Sequence, residues 1–244
     1  MKRFIPVVLC TVLTTHVSTV QTPALDAQTI LAKAKEAAGG EAWDKVQSLY
    51  TKGKTRVYGV DADREEWVDL QRLRYAETLR FLGISGGLGF DGRTAWGKDI
   101  NKPLVIATSG DFYKGQIERM FIKSYAYWFP KRWEATIEYK GQEKDEGKEF
   151  QAVQISPKEG NPFELWFDSS TYLIARIRDV GPQAIPTYIS DYRDIQGVKL
   201  PFTYTSTTGD NAKIEEIQVN KLITNEQYEP PAEFLKGERS NKKS

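Results

Sequence analysis

Nucleophilic and metal-assisted chemistry runs mostly through Cys and His, and this sequence holds one of each, Cys10 and His16. Both fall in a stretch, 1–20, that reads as a secretory signal: Met1-Lys2-Arg3 is the charged start and Phe4 to Leu13 the apolar run. That run is shorter than the roughly 20 apolar residues of a membrane-spanning helix. Thr14-Thr15-His16 already turns polar, so cleavage near Val17 to Val20 and release are expected. A lipidated Cys10 would need a small residue before it, and Leu9 stands there. Cleavage would remove the only thiol and the only imidazole. A chain with neither cannot build a Ser-His-Asp or Cys-His nucleophile system, a histidine acid or base, or an ordinary zinc site. No disulfide is available either, so stability must come from the core.

The remaining candidates for chemistry are carboxylates and glycines. Asp61-Ala62-Asp63-Arg64-Glu65-Glu66 is the densest acidic cluster, but a calcium loop of the EF-hand type wants Gly and Glu where Glu66 and Arg72 stand. It reads as a solvated hairpin turn. Glu143 to Glu149 reads as an exposed hairpin tip. Pairs such as Asp191 with Asp194, or Glu215 with Glu216, carry the residue types a glycosidase uses. Ser85-Gly86-Gly87-Leu88-Gly89 is Gly-rich, yet a phosphate cradle needs a helix start for its donors and no helical pattern follows. It reads as a flexible hairpin connection. No metal and no cofactor are expected.

The elements that must position these groups are mostly strands. Asp26 is placed to cap a helix over 27–38, stopped by Gly39-Gly40, with 41–46 as a further short turn. From Gln47 the pattern becomes that of strands, over 47–58, 64–71, 73–81, 94–98, 103–107, 133–140, 149–156, 162–168, 171–179, 185–194, 198–208 and 212–222. Turn sequences such as Asp91-Gly92, Glu146-Gly147 and Gln196-Gly197 join them as antiparallel hairpins. One amphipathic helix over 111–129, ended by Pro130, interrupts the series and should lay its stripe on the sheet. In Phe163 to Phe167 and Leu173 to Ile177 both parities carry apolar residues, which implies cover on both faces. The tail 236–244 is polar and reads as disordered, leaving 21–235 as one domain. Without Lys2 and Arg3 the balance is 32 basic against 33 acidic residues, which argues against nucleic acid as a partner.

Tyr188-Ile189-Ser190-Asp191-Tyr192-Arg193-Asp194-Ile195-Gln196-Gly197-Val198-Lys199-Leu200-Pro201-Phe202, with Ile214 to Asn220 and Tyr228-Glu229-Pro230-Pro231, resembles the carboxy-terminal hairpin of LolA-like domains. Ala37-Ala38-Gly39-Gly40, Val46 to Leu49 with Gly53, and Gly89-Phe90-Asp91-Gly92-Arg93-Thr94-Ala95-Trp96 are similar to the same domain in bacterial exported proteins, some of which continue into a retropepsin-like protease. Here no Asp-Thr-Gly or Asp-Ser-Gly tripeptide follows. The resemblance implies a mainly β (α+β) fold: an incomplete antiparallel barrel, a half-barrel of about 11 strands, wrapped around one or two helices. It also implies a non-catalytic periplasmic carrier or sensor with an apolar cavity for a lipid, an acyl chain or an acylated protein. The alternatives are an interaction module for cell-envelope proteins and, less favoured, a hydrolase using carboxylates alone.

On this reading Trp67, Phe81, Trp96, Ile117, Met120, Phe121, Tyr125, Trp128, Leu165 and Phe167 are the candidates for the cavity and for a lid formed by the embedded helix. Asp191, Tyr192, Gly197, Leu200, Pro201 and Phe202 are expected to be structural: Gly197 for a turn with φ > 0, Pro201 where no strand donor is needed, Leu200 and Phe202 on one face, and Asp191 holding the turn. The intact mass of the secreted protein should correspond to cleavage between about residues 17 and 24; a mass that retains Cys10 with a diacylglyceryl adduct would overturn the thiol-free reading.

Overall fold

The first helix, α1 (Ala27–Ala37), begins where Asp26 accepts a hydrogen bond from the Thr29 amide at 2.6 Å, satisfying one of the donors that every helix start leaves free. Ile30, Leu31 and Ala34 form its buried stripe. Gly39 and Gly40 end it at φ 130° and 56° and lead into a 3-10 helix, Gly40–Lys45. A Cβ on Gly39 would stand 2.3 Å from the Gly197 carbonyl oxygen, so close approach as well as φ demands glycine there. The structure, a computed structural model, describes residues 25–57, 59–181 and 184–236. The signal at 1–20 and, past Lys236, the tail lie outside the described residues.

Thirteen strands follow among the described residues: β1 (Ser48–Val57), β2 (Val60–Asp69), β3 (Arg74–Phe81), β4 (Ile84–Phe90), β5 (Ala95–Lys98), β6 (Val105–Ala107), β7 (Ala135–Asp145), β8 (Lys148–Pro157), β9 (Phe163–Asp168), β10 (Ile174–Asp179), β11 (Thr187–Ile195), β12 (Val198–Ser206) and β13 (Asn211–Val219). They form one antiparallel sheet in the order β6-β5-β4-β3-β2-β1-β13-β12-β11-β10-β9-β8-β7. Hairpin neighbours account for every pairing except β1 with β13, so the chain makes two meanders joined along that ladder. Between the free edges β6 and β7 runs α2 (Gly110–Lys123), whose Tyr113, Ile117, Met120 and Phe121 join the core with α1 and with strands of both meanders. This is an open half-barrel wrapped on its helices. The embedded helix stops earlier than its pattern suggests: Ser124 turns its hydroxyl back to the Met120 carbonyl at 2.7 Å, and Tyr125 takes the left-handed φ of 51°.

Two sequence expectations need correction. The Gly-rich stretch 85–89 is not a flexible connection but strand β4, which brings the twelve strand ranges drawn from sequence to the 13 of the sheet, where the half-barrel was expected to have about 11. Its glycines lower strand propensity, yet a Cβ on Gly89 would meet the Trp96 ring at 2.6 Å and one on Gly87 the Glu77 carbonyl at 2.5 Å. They are there to let neighbours lie close. The cluster 61–66 is likewise no turn. β1 and β2 pair out to Val57 with Val60, and Asp61 to Glu66 lie within β2, where alternation splits them. Asp61 and Asp63 stay outside as partners of Arg56 and Lys54, while Arg64 and Glu66 are buried inside.

Cover on both faces is real in two places. Across β2 to β5 the segment after β13, with a 3-10 helix at Asn225–Tyr228 and α3 (Ala232–Lys236), packs Tyr228 and Phe234 on Ala76 and Trp96, and the Trp96 indole donates to the Tyr228 carbonyl at 2.7 Å. Across β8 to β10 the outer residues Phe150, Ala152 and Trp166 cluster beneath the Arg176 guanidinium. The β1–β13 ladder shifts register between Lys52 and Gly53, where a Cβ on Gly53 would come within 2.1 Å of the Lys213 carbonyl oxygen. Gly53→Ala should therefore destabilise the fold by about 2 kcal/mol or more, read from urea unfolding; an unchanged midpoint would show that the ladder can shift aside.

Candidate functional site

Between α2 and the concave face lies a cavity of about 470 Å3, inside the range of roughly 300–1,000 Å3 typical of ligand pockets. Its walls differ in chemistry. The strands β10 to β13 supply Ile174, Ile177, Ile189, Leu200, Ile214 and Ile217; in β10 and β13 the paired residues lie three apart, and they reach one face because the ladders shift register between Ile174 and Arg176 and opposite Lys52 and Gly53. The wall made by β2 and α2 supplies Arg64, Glu66, Glu118, Arg119 and Lys123. Tyr125, Tyr127, Tyr192 and Tyr204 line it as well.

The ionic wall follows from register. Glu66 sits directly across from Glu77 of β3, and two like charges in cross-strand positions about 5 Å apart repel. Arg64, two residues along the same face, resolves this: its guanidinium contacts both carboxylates, with Nε 2.9 Å from Glu77. From α2 the Lys123 ammonium reaches Glu66 at 2.9 Å. Burial alone would raise the pKa of Glu77, but Arg64, with Arg119 and Lys123 behind it, outweighs burial and holds the carboxyl well below the usual range. Burial lowers the pKa of Lys123, a shift that Glu66 opposes.

Where the cavity meets the exposed Asp179, Glu118 accepts from the Asn161 amide at 3.2 Å and hydrogen-bonds Asp179. Burial first, then the adjacent Asp179 charge, raise the Glu118 pKa from 4.5 to about 7. Glu118 is thus the carboxyl that takes up a proton as the pH falls toward neutrality. Direct hydrogen bonding places the two carboxyls closer than the roughly 5 Å or more by which glycosidase carboxylates flank a sugar bond. The pairs read from sequence, Asp191 with Asp194 and Glu215 with Glu216, are exposed. No cluster of His, Cys, Asp or Glu among the described residues could hold a metal ion.

In sequence, no family model and no curated protein matches the chain. In structure it is similar to a LolA superfamily protein, NE2245 from Nitrosomonas europaea, with a TM-score of 0.54 at 11% identity over 85% of this chain and 99% of that one. It is also similar to a DUF1329 family protein from Desulfovibrio piger, with a TM-score of 0.52 at 11% identity over 84% and 98%. The fold is LolA-like.

Within this LolA-like sheet the residues named from sequence are dispersed. Tyr125 lines the cavity. Ile117, Met120, Phe121, Leu165 and Phe167 sit in the packed core, because their helix and strand faces point at one another rather than at the opening. Met120→Asp or Phe121→Asp would therefore test folding and not a lid. Trp128 packs edge-on against Trp43 at 4.9 Å, Trp67 and Trp96 lie under the carboxy-terminal segment, and Phe81 is buried near the end of β3. From the hairpin, Tyr192, Leu200 and Pro201 reach the cavity.

Gly197 takes φ 86° in the turn, but the carboxylate that holds this turn belongs to Asp194, which accepts from the Gly197 amide at 3.0 Å. Asp191 instead pairs with Arg193 at 2.6 Å. Its left-handed φ of 56° falls where the β11–β12 register passes from Ser190 with Thr203 to Tyr192 with Pro201 and leaves Asp191 and Phe202 unpaired, which breaks the alternation there. Leu200 accordingly lines the cavity while Phe202 lies under the Arg193 guanidinium, 4.2 Å away. Pro201 falls beyond the β12–β13 pairing, which spans Thr203 to Thr205, so no donor is missed. Reading from sequence missed Arg64, Glu66, Glu77, Arg119 and Lys123. The parity of Arg64 and Glu66 with Ala62 and Val68 was the available signal.

A carboxyl whose folded pKa is raised holds its proton more tightly folded than unfolded. Its contribution is thus present at low pH and lost as pH climbs from the unfolded value of 4.5 through about 7. Glu118→Gln, which has no proton to release, should flatten the fall in melting temperature across that window and raise stability at pH 8. A variant whose profile parallels the wild type would remove Glu118 as the titrating group.

Proposed function

We propose that this chain is an exported, non-catalytic binding protein that carries or senses a lipid or acyl chain in the cavity between α2 and β10 to β13. The observation that carries this reading is the aliphatic wall: six Ile and Leu side chains from four adjacent strands converge on one space of about 470 Å3. An acyl segment that buries on the order of 200 Å2 of apolar surface there gains on the order of 5 kcal/mol. The thiol-free and imidazole-free sequence from Val17 onward supports binding rather than covalent catalysis. The leader-like stretch 1–20 supports export, and no helix among the described residues is long and apolar enough to cross a membrane. The partners that fit are lipids or acylated proteins of the cell envelope.

Protein purified from a bacterial periplasm and examined by native mass spectrometry should carry co-purifying lipid. Ile177, half-buried on the cavity wall, offers a way to fill the space: Ile177→Trp should weaken binding of a fluorescent fatty acid about tenfold or more while leaving the melting temperature within a few degrees. Unchanged affinity in that folded variant would place the ligand elsewhere.

A further inference from the structure

The ions of the cavity have partners with one exception. Arg64 holds Glu66 and Glu77, Lys123 holds Glu66, Arg178 lies 3.7 Å from Glu164, and Glu118 has Asn161 and Asp179. Arg119 makes no hydrogen bond and no ion pair within 4 Å among the described residues, although it lines the cavity. On the wall built by β2, β3 and α2 stand three cations, Arg64, Arg119 and Lys123, and three carboxyls, Glu66, Glu77 and Glu118, of which Glu66 and Glu77 are taken by Arg64 and Lys123 and Glu118 by Asn161 and Asp179. Arg119 is solvent-accessible while its helix neighbours Ile117, Met120 and Phe121 are buried. The hydroxyls of Tyr125, Tyr127 and Tyr204, which also line the cavity, likewise make no hydrogen bond among the described residues.

A guanidinium offers five donors in a planar fork that fits carboxylate and phosphate oxygens, and covering it with hydrocarbon alone would strand a charge. An occupant that lies on the isoleucine wall must therefore bring an acceptor to Arg119. Size narrows the class further. At about 30 Å3 per heavy atom, the share of a water in the liquid, about 470 Å3 holds on the order of fifteen heavy atoms. That is the bulk of one acyl chain.

We propose that the ligand is a single-chain amphiphile with an anionic head, a fatty-acid carboxylate or a lysophospholipid phosphate, held at the head by Arg119 and the tyrosine hydroxyls and along the chain by β10 to β13. This rests on the acyl-binding reading and narrows it.

Delipidated protein titrated calorimetrically with palmitate, lysophosphatidate and hexadecanol tests it. Wild type should bind at least one charged probe about tenfold or more tighter than hexadecanol, the gain expected of a charge-assisted hydrogen bond; the charged probe that does so identifies the head group. Arg119→Gln should bring that probe level with hexadecanol, leave hexadecanol binding unchanged, and fold, because it breaks no hydrogen bond or ion pair within 4 Å among the described residues and leaves Arg64 in place on Glu77. Arg119→Lys, which keeps the charge, should restore most of the preference. Equal binding of all three probes by wild type, or a preference that survives Arg119→Gln, would overturn the anionic-head assignment while sparing the acyl-binding reading. If none of the three binds, both fall.

Discussion

The ladder between β1 and β13 joins residues near the two ends of the described chain, Leu49 with Val219 at one limit and Arg56 with Asn211 at the other. Every other pairing in the sheet is a hairpin neighbour. Without this ladder the protein would be two separate meanders, β1 to β6 and β7 to β13, each with one face to cover. With it, the ionic strand β2 and the aliphatic strands β12 and β13 lie on either side of β1, and the two halves curve around the same helices. The cavity is a product of this closure, since its aliphatic wall belongs to one meander and much of its charge to the other. Loop-closure entropy opposes such a long-range contact, and the close backbone approach at Gly53 is part of what makes it possible.

The interior charges follow from a second constraint, that a buried ion needs a partner. Glu66 and Glu77 face each other across β2 and β3, an arrangement that only the guanidinium of Arg64 and the ammonium of Lys123 make tolerable. The network is stable as a unit and fragile by parts, because removing Arg64 would take from the buried Glu77 the cation in contact with it. It also pins α2 to β2 from the polar side, while Ile117, Met120 and Phe121 pin it to the core from the apolar side. The helix is fixed by both its faces, which fits a scaffold that forms one wall of the cavity better than a flap hinged at its start.

The outer surface of the sheet is managed in sections. Where β2 to β5 would expose apolar residues, the carboxy-terminal segment covers Ala76 and Trp96, and Arg74 stacks on Tyr228 at 4.3 Å. Where β8 to β10 would do so, Arg176 spreads over Phe150 and Trp166 and pairs with Asp145. The edge strand β7 alternates half-buried with exposed residues along its length and carries charges that discourage edge-to-edge pairing.

Much of the local structure was legible in the sequence, because it depends on neighbours within a few residues. Asp26 ahead of an Ala-rich run, the Gly39-Gly40 stop, the Glu146-Gly147 and Gln196-Gly197 turns and the period-2 strands all carry their own backbone chemistry. The absence of Cys and His after position 16 bounded the chemistry in the same direct way. What tertiary structure alone decided is which groups face each other across long separations. β4 was hidden because its glycines answer to Trp96 and to the Glu77 carbonyl, neither of which a propensity can see. The inward turn of Arg64 and Glu66 and the fate of each aromatic, core or outer face, were likewise open. The alternation of a strand says that two faces differ, but which of them is concave is set only when the sheet closes through β1 and β13.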